Sequence, residues 1–273
     1  MIWPLKPRRP PPLDPLAWNR LLEALPYLRD MSDDEADAMR ALVAEFVAAK
    51  TLTGTHGLVP DDAMRIAVAA QACLPVLRLG LAPYADFVEI VVYPSAFRVQ
   101  RRVVDEDGLV HEYADDLVGE AMDGGPVVLS WDVVFEPGAP RPGNVVIHEF
   151  AHKLDMADGD ADGCPPMPAS RRDAWRDLLG RAFDRFRDQV ERAEARIPAD
   201  VDPESPEADR WYDGLPLDPY AATDEAEFFA VACESFFVDP ARFATAFPAL
   251  RAAFVAYFRT DPLAWHERAA ARR

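Results

Sequence analysis

The stretch of sequence that decides the fold runs Asn144-Val-Val-Ile-His-Glu-Phe-Ala-His-Lys-Leu-Asp155. It contains the pattern H-E-x-x-H, in which His148 and His152 are four residues apart. On a helix such residues lie on one face, one turn from each other, so a single zinc ion can take one nitrogen from each imidazole. Glu149 would then be placed to take a proton from a water molecule at the metal. The pattern therefore predicts a helix that carries a zinc site.

The residues before the pattern favour a helix that starts near Val145. Pro142-Gly143-Asn144 is a helix breaker followed by a residue suited to the N-cap, and Val145-Val146-Ile147 supplies the apolar first turn of a buried helix. The pattern itself fixes only three of five positions, so chance is the competing interpretation. Two histidines packed one turn apart, beside a glutamate that faces solvent, would give the same letters.

A peptidase-type zinc site needs a third protein ligand, and the sequence restricts where it lies. The metzincin pattern would require Gly at position 155 and His at position 158, whereas this chain has Asp155 and Asp158. The usual alternative is a carboxylate on a later helix. The segment 226–237 is apolar nearly all round, as in a buried helix, yet it carries Glu227 and Glu234.

The residues alone leave two interpretations of Glu227 open. A buried carboxylate is unfavourable unless it is paired or bound to a metal, which favours a ligand. Alternatively, Asp224 as N-cap and Glu227 at the third helical position would form a reciprocal capping pair. Glu234 and Asp155 are the next candidates for the third ligand. Glu234 could instead support a ligand histidine or pair with an arginine, and Asp155 could hold an imidazole or cap the end of the first helix.

The periodicity of the chain predicts an α+β fold that is mainly α-helical. Apolar residues recur at helical spacing over most of the sequence. Alternating or continuous apolar runs, which are typical of strands, lie between residues 87 and 131. The Asp-Gly pair within 105–108 favours a hairpin turn. The predicted helices are 16–29, 33–50, 60–79, the helix of His148, 170–196, the helix of Glu227, 240–258 and 261–270, and the predicted strands are 87–92, 99–104, 109–113 and 127–131.

Composition narrows the class of protein. The 273 residues give room for one large domain or two small ones. The net charge of −18 argues against direct binding to nucleic acid or an anionic membrane, and it permits a basic partner. There is no apolar run of the roughly 20 residues that a membrane helix needs, and no signal peptide at the N-terminus. Cys73, Cys164 and Cys233 are too scattered for a disulfide framework. We therefore expect a cytoplasmic protein.

Several segments together resemble the Mlc titration factor A family of zinc metallopeptidases, whose site is similar to that of anthrax lethal factor. Tyr220 precedes Glu227 by seven residues, which is the spacing of the corresponding pair in this family. The resemblance implies that Zn²⁺ is bound by His148, His152 and Glu227, that Glu149 is the general base and that Tyr220 stabilises the transition state. The matching segments are Ala69-Ala-Gln-Ala-Cys73, Ile90-Val-Val-Tyr-Pro94, Gly125-Pro-Val-Val-Leu-Ser-Trp131, the stretch 144–155 and Glu227-Phe-Phe-Ala-Val.

The same resemblance implies a zincin-like metallopeptidase core with a small β-sheet and an N-terminal helical region. We divide the chain into a Pro-rich tail (1–15), a helical region packed on the core (16–80) and a catalytic domain (81–273), the last two forming one compact unit. The implied activity is that of an aminopeptidase acting on peptide substrates, with an Mlc-like transcriptional repressor as a partner.

The alternative function is that of a non-catalytic protein that titrates a repressor and has a structural zinc site. Glu149 and Tyr220 argue against it, because a structural site requires neither.

Overall fold

The N-terminal region is helical in the computed structural model, which describes residues 12–104, 110–117, 119–134, 143–203 and 205–271. Its helices are α1 (Pro15–Ala24), α2 (Asp33–Ala49) and α3 (Asp62–Cys73). The first and third end earlier than predicted, because Pro26 and Pro75 lack the N–H that would continue the helix. The predicted tail falls largely in residues 1–11, which lie outside the described residues.

A four-stranded mixed sheet follows, with a separate hairpin inserted in its sequence. The strands are β1 (Thr51–Gly54), β2 (Glu89–Tyr93), β3 (Phe97–Val104), β4 (Val110–Leu117), β5 (Gly119–Ala121) and β6 (Val127–Ser130). The sheet order is β1-β2-β6-β5; β1, β2 and β6 are parallel, and β5 runs antiparallel to β6 at one edge. The predicted hairpin is confirmed as the antiparallel pair β3–β4, and its turn at 105–108 lies outside the described residues.

The C-terminal part is helical, and one of its predicted helices is wrong. The predicted helix 240–258 is two helices, separated at Phe247. Pro248 has no N–H to donate and disfavours a helical conformation for the residue before it, so the chain breaks there. The helices are α4 (Trp131–Val134), α5 (Val145–Asp155), α6 (Ala169–Glu194), α7 (Asp209–Tyr212), α8 (Glu225–Val238), α9 (Pro240–Ala246), α10 (Pro248–Phe258) and α11 (Pro262–Ala270).

Helices α5 and α8 pack against each other, and most residues of both are buried. Phe150 on α5 is fully buried, and its ring packs on the rings of Tyr84 and Phe87 at centroid distances of 5.1 and 5.9 Å. Four phenylalanines of α8 are buried in the same way: Phe228, Phe229, Phe236 and Phe237. Burying each contributes about 1.5–3 kcal/mol, which offsets the unfavourable placement of carboxylates on this helix.

The apolar core is continuous from Trp18 on α1 to Trp265 on α11. The division at residue 80 stays a prediction. Among the described residues, every helix is too short or too polar to cross a membrane. The three cysteines are buried and unpaired, as their scattered positions predicted.

Candidate metal centre

Helix α5 places its two histidines side by side. The Asn144 side chain caps the helix by accepting a hydrogen bond from the Ile147 N–H at 2.9 Å, which confirms the predicted start. The Nε2 atoms of His148 and His152 lie 3.1 Å apart. Both side chains are only about one-eighth exposed, at 12% and 13%. The i, i+4 spacing therefore gives the shared face that the sequence predicted.

Helix α8 brings Glu227 to the same point. Its Oε2 atom lies 3.1 Å from Nε2 of His148 and 3.3 Å from Nε2 of His152. The Asp224 side chain does cap α8, since it accepts from the Glu227 N–H at 2.9 Å. The Glu227 carboxylate, however, is turned to the imidazoles and not back to Asp224. The structure thus shows one-sided capping, together with a carboxylate that faces the histidines.

These three side chains fit one metal ion. Their three donor atoms form a nearly equilateral triangle with sides of 3.1, 3.1 and 3.3 Å. Ligands about 2.0–2.1 Å from a tetrahedral zinc ion are separated by about 3.3 Å, and two imidazoles with one carboxylate are a common zinc set. Three ligands leave a fourth position open. The donor set and its spacing therefore suit a catalytic rather than a closed metal site.

The pKa values of Glu149 and Glu227 are shifted in opposite directions. Burial raises the pKa of Glu149 to about 7, although the neighbouring histidines oppose that shift. Burial would also raise the pKa of Glu227, but hydrogen bonds from His148 and His152 outweigh it and hold that pKa well below its ordinary value. Burial lowers the pKa of His148, and its contacts with Glu227 and Glu234 overcome this and raise it. Glu227 is thus the anionic partner of the imidazoles.

Glu149 lies beside the triangle, against the edge strand β5. It is 5% exposed. Gly119 on β5 faces it so closely that a Cβ atom there would overlap the Glu149 carboxylate and approach Cγ2 of Val145 to 2.7 Å. Gly119 was missed from the sequence, because a lone glycine next to a short strand carries no signal of which side chain it faces.

Tyr220 stands at the open side of the cluster. It belongs to a 3₁₀ turn, Pro219–Ala222, that Asp218 caps by accepting from the Tyr220 N–H. The residue is 53% exposed, and its ring centroid lies 6.1 Å from that of His148. Burial of the hydroxyl and the adjacent Glu227 carboxylate raise its pKa well above the ordinary value, so the hydroxyl keeps its proton and can donate it in a hydrogen bond.

The two alternative ligand candidates have other partners. Glu234 accepts a hydrogen bond from Nδ1 of His148 at 2.7 Å through Oε1, so it supports a histidine, as one of its two predicted roles required. Asp155 accepts from the Gly163 N–H at 2.7 Å and closes the turn after α5. In the described part of the chain its second oxygen has no partner.

Comparison with known proteins agrees with this geometry. The family described as glucose-regulated metallo-peptidase M90 matches residues 5–259. The chain is 34% identical to "Mlc titration factor A" of Cronobacter sakazakii over 262 residues, which covers 96% of this chain and 92% of that protein. It is 35% identical to the Klebsiella pneumoniae protein of the same name, with 91% and 88% covered. A match over nearly the whole chain, with a His, His, Glu cluster in place, shows that the chain belongs to the M90 family of metallopeptidases.

Proposed function

We propose that this protein is a zinc-dependent peptidase of the aminopeptidase type, with His148, His152 and Glu227 as the metal ligands. The observation that carries the proposal is the triangle of donor atoms with sides of 3.1–3.3 Å. Zinc in such a site acts as a Lewis acid and lowers the pKa of a water molecule at the open position toward 7. The choice of zinc and the aminopeptidase type rest further on the resemblance to the family.

Glu149 supplies the proton transfers. It is next to a ligand in sequence, but its carboxylate lies outside the triangle and toward β5. There it takes a proton from the attacking water and passes it to the leaving amine. Because Glu149 is buried, bulk water does not reach its carboxylate. The carboxylate therefore exchanges protons with the attacking water and the leaving amine and not with solvent.

Tyr220 supplies charge stabilisation. Its ring lies 6.1 Å from that of His148 and its hydroxyl is next to the Glu227 carboxylate, and we place the carbonyl of a bound peptide beside that hydroxyl. A hydrogen bond from this hydroxyl to the oxygen that becomes negative in the transition state lowers the barrier without helping to hold the metal.

The test is the substitution Glu149→Gln. The purified wild type should hold close to one zinc ion per chain and release the leaving group of an amino-acid p-nitroanilide. Glu149→Gln should hold the same zinc, because Glu149 is not a ligand, and should lose about 10²–10⁴-fold in turnover. Wild-type turnover by the variant would assign the activity to another base or to a contaminating peptidase. An N-acetylated substrate distinguishes an aminopeptidase, which needs the free amine.

We propose a second function, binding of an Mlc-like transcriptional repressor in the cytoplasm. It is supported by the name of the relatives and by the net charge of −18, which suits a basic partner. Because the partner surface and the catalytic base need not overlap, Glu149→Gln should bind the repressor as the wild type does. No binding at micromolar concentration in a pull-down would remove the titrating role and leave the peptidase activity untouched.

The competing function is a repressor-titrating protein whose zinc site is only structural. The same variant separates the two. Under this alternative, the wild type and Glu149→Gln would both bind the repressor and neither would hydrolyse a peptide.

A further inference from the structure

A buried chain of hydrogen bonds connects the N-terminal helices to the start of α5. The Tyr27 hydroxyl donates to Oε1 of Gln71 at 3.0 Å, and it accepts from Nδ2 of Asn144 at 3.0 Å. The same Nδ2 atom donates to Oε1 of Gln71 at 2.7 Å. All three side chains are less than one-tenth exposed. They form a closed polar cluster inside an otherwise apolar core.

The cluster continues from Asn144 to a histidine of the metal centre. The main-chain N–H of Asn144 donates to Oε2 of Glu234. The other oxygen of Glu234, Oε1, accepts from Nδ1 of His148 at 2.7 Å. Because the Glu234 carboxylate accepts at Nδ1, that nitrogen carries the proton, and Nε2, which faces Glu227, is left to bind a metal.

Each amide of the cluster has a single orientation. The Asn144 side chain accepts from the Ile147 N–H with its oxygen and donates with its nitrogen. Gln71 donates from Nε2 to the carbonyl of Ala67 at 3.1 Å and accepts with Oε1. Reversing either amide would place donors opposite donors, so the pattern fixes where the Asn144 backbone, and with it Glu234, must lie.

We propose that Tyr27 and Gln71 are positioning residues for the metal centre, acting through Asn144 and Glu234 on His148. This inference rests on the proposed metal function and adds that the N-terminal region is a working part of the site. Apolar side chains would hold α3 against α5 equally well, whereas buried polar groups are unfavourable unless every one is paired. The polar cluster lies where α3 meets the cap of the helix that carries His148.

Zinc affinity of the whole protein, measured by competition with a chromophoric chelator, tests the proposal. Glu234→Gln should weaken binding about 10–100-fold, as is typical when the hydrogen-bond partner of a ligand histidine is changed. Tyr27→Phe should weaken it about three- to tenfold, because the effect passes through two more residues. In a double variant, Tyr27→Phe should add almost nothing to Glu234→Gln, since both act along one path.

Tyr84→Phe is the matched control. The Tyr84 hydroxyl is also buried and also joins α3 to α5, but it donates to the main-chain carbonyls of Ala72 and Phe150, at 3.2 Å each, and not to the polar cluster. The Tyr84→Phe variant should lose thermal stability much as Tyr27→Phe does, and it should keep wild-type zinc affinity. Fold is checked for every variant by circular dichroism.

Two results would overturn the positioning role. Unchanged zinc affinity in both Tyr27→Phe and Gln71→Met would show that the cluster serves packing alone, and an equal loss in Tyr84→Phe would show a general effect of stability. Gln71→Met, of similar volume, gives a second chance to detect the effect and should weaken zinc at least as much as Tyr27→Phe. A wild type that binds no zinc would remove the proposed metal function itself, which is a different outcome.

Discussion

The floor of the candidate site is formed by His148, His152, Glu227 and Glu234, and its open side by Tyr220. The two differ in how their polar groups are used. On the floor, the side chains of α5 and α8 face each other, and both oxygens of Glu234 accept hydrogen bonds. At the open side, Tyr220 is half-exposed and lies on a short 3₁₀ turn. The floor therefore has the fixed geometry that binding of an ion would need, whereas Tyr220 at the open side is accessible to a bound molecule.

This difference separates two kinds of effect. Changes on the floor should alter metal binding and turnover together, because the metal depends on those atoms. Changes at the open side or at the base should alter turnover alone.

Glu227→Gln should remove most of the zinc and nearly all peptidase activity. The amide is neutral, so it replaces an anionic ligand beside two imidazoles that are 3.1 and 3.3 Å from the carboxylate oxygen. Zinc content and turnover are measured on the same preparation. His148→Ala with His152→Ala is the positive control for metal loss.

Glu227→Gln also decides between the two interpretations of this residue. Glutamine can serve at the third position of a helix cap, so a residue that only caps α8 would tolerate the change and keep its zinc. Full zinc in Glu227→Gln would move the third ligand elsewhere. Circular dichroism guards against loss of fold, which should not occur because Asp224 still caps the helix through the main-chain N–H of residue 227.

Tyr220→Phe should keep its zinc and lose about 10²–10³-fold in turnover, as for removal of one oxyanion donor. The loss should fall on kcat more than on KM, because the hydroxyl acts on charge that develops only in the transition state. Thermal stability should hardly change, since the residue is half-exposed. A variant with wild-type kcat would leave the oxyanion to be stabilised by other groups.

The sequence predicted the parts of this site that depend on local spacing. The i, i+4 rule placed His148 beside His152, and this rule requires only that the segment be helical. From the residues alone Glu227 was undecided, because capping and metal binding use the same helical position and the direction of its side chain depends on packing between α5 and α8. Only the resemblance to the family had assigned it as a ligand. The break at Phe247 did have a local signal in Pro248, which the apolar periodicity on either side obscured.

The supporting contacts had no such signal. Asn144 is 73 residues from Gln71 and 117 residues from Tyr27 along the chain, and no spacing rule connects residues that far apart. The same holds for Gly119 and the glutamate it faces. The two candidate histidines could be read from local spacing, whereas the direction of Glu227 and the groups that orient the histidines depend on the assembled tertiary structure.

Gly119→Ala should reduce turnover about 10- to 100-fold with zinc unchanged. The added methyl group would overlap the Glu149 carboxylate and push it from the position where it accepts a proton, and a displacement of about 1 Å can cost on the order of 10²-fold. The ligand triangle lies on other side chains, so the metal should stay. Gly143→Ala is the control, because a Cβ there would lie 3.9 Å from Oε2 of Glu234, an ordinary contact.

Shortening the proposed base in Glu149→Asp gives a second background in which to measure the effect of Gly119→Ala. Glu149→Asp withdraws the carboxylate from β5 and should lower turnover by itself. In that background the overlap with residue 149 is relieved and only the approach to Cγ2 of Val145 remains, so Gly119→Ala should cost less than it does in the wild type and the two losses should be non-additive. Equal losses from Gly119→Ala in both backgrounds would assign the effect to distortion of the edge strand. Gly119 would then support the sheet and have no part in placing the base.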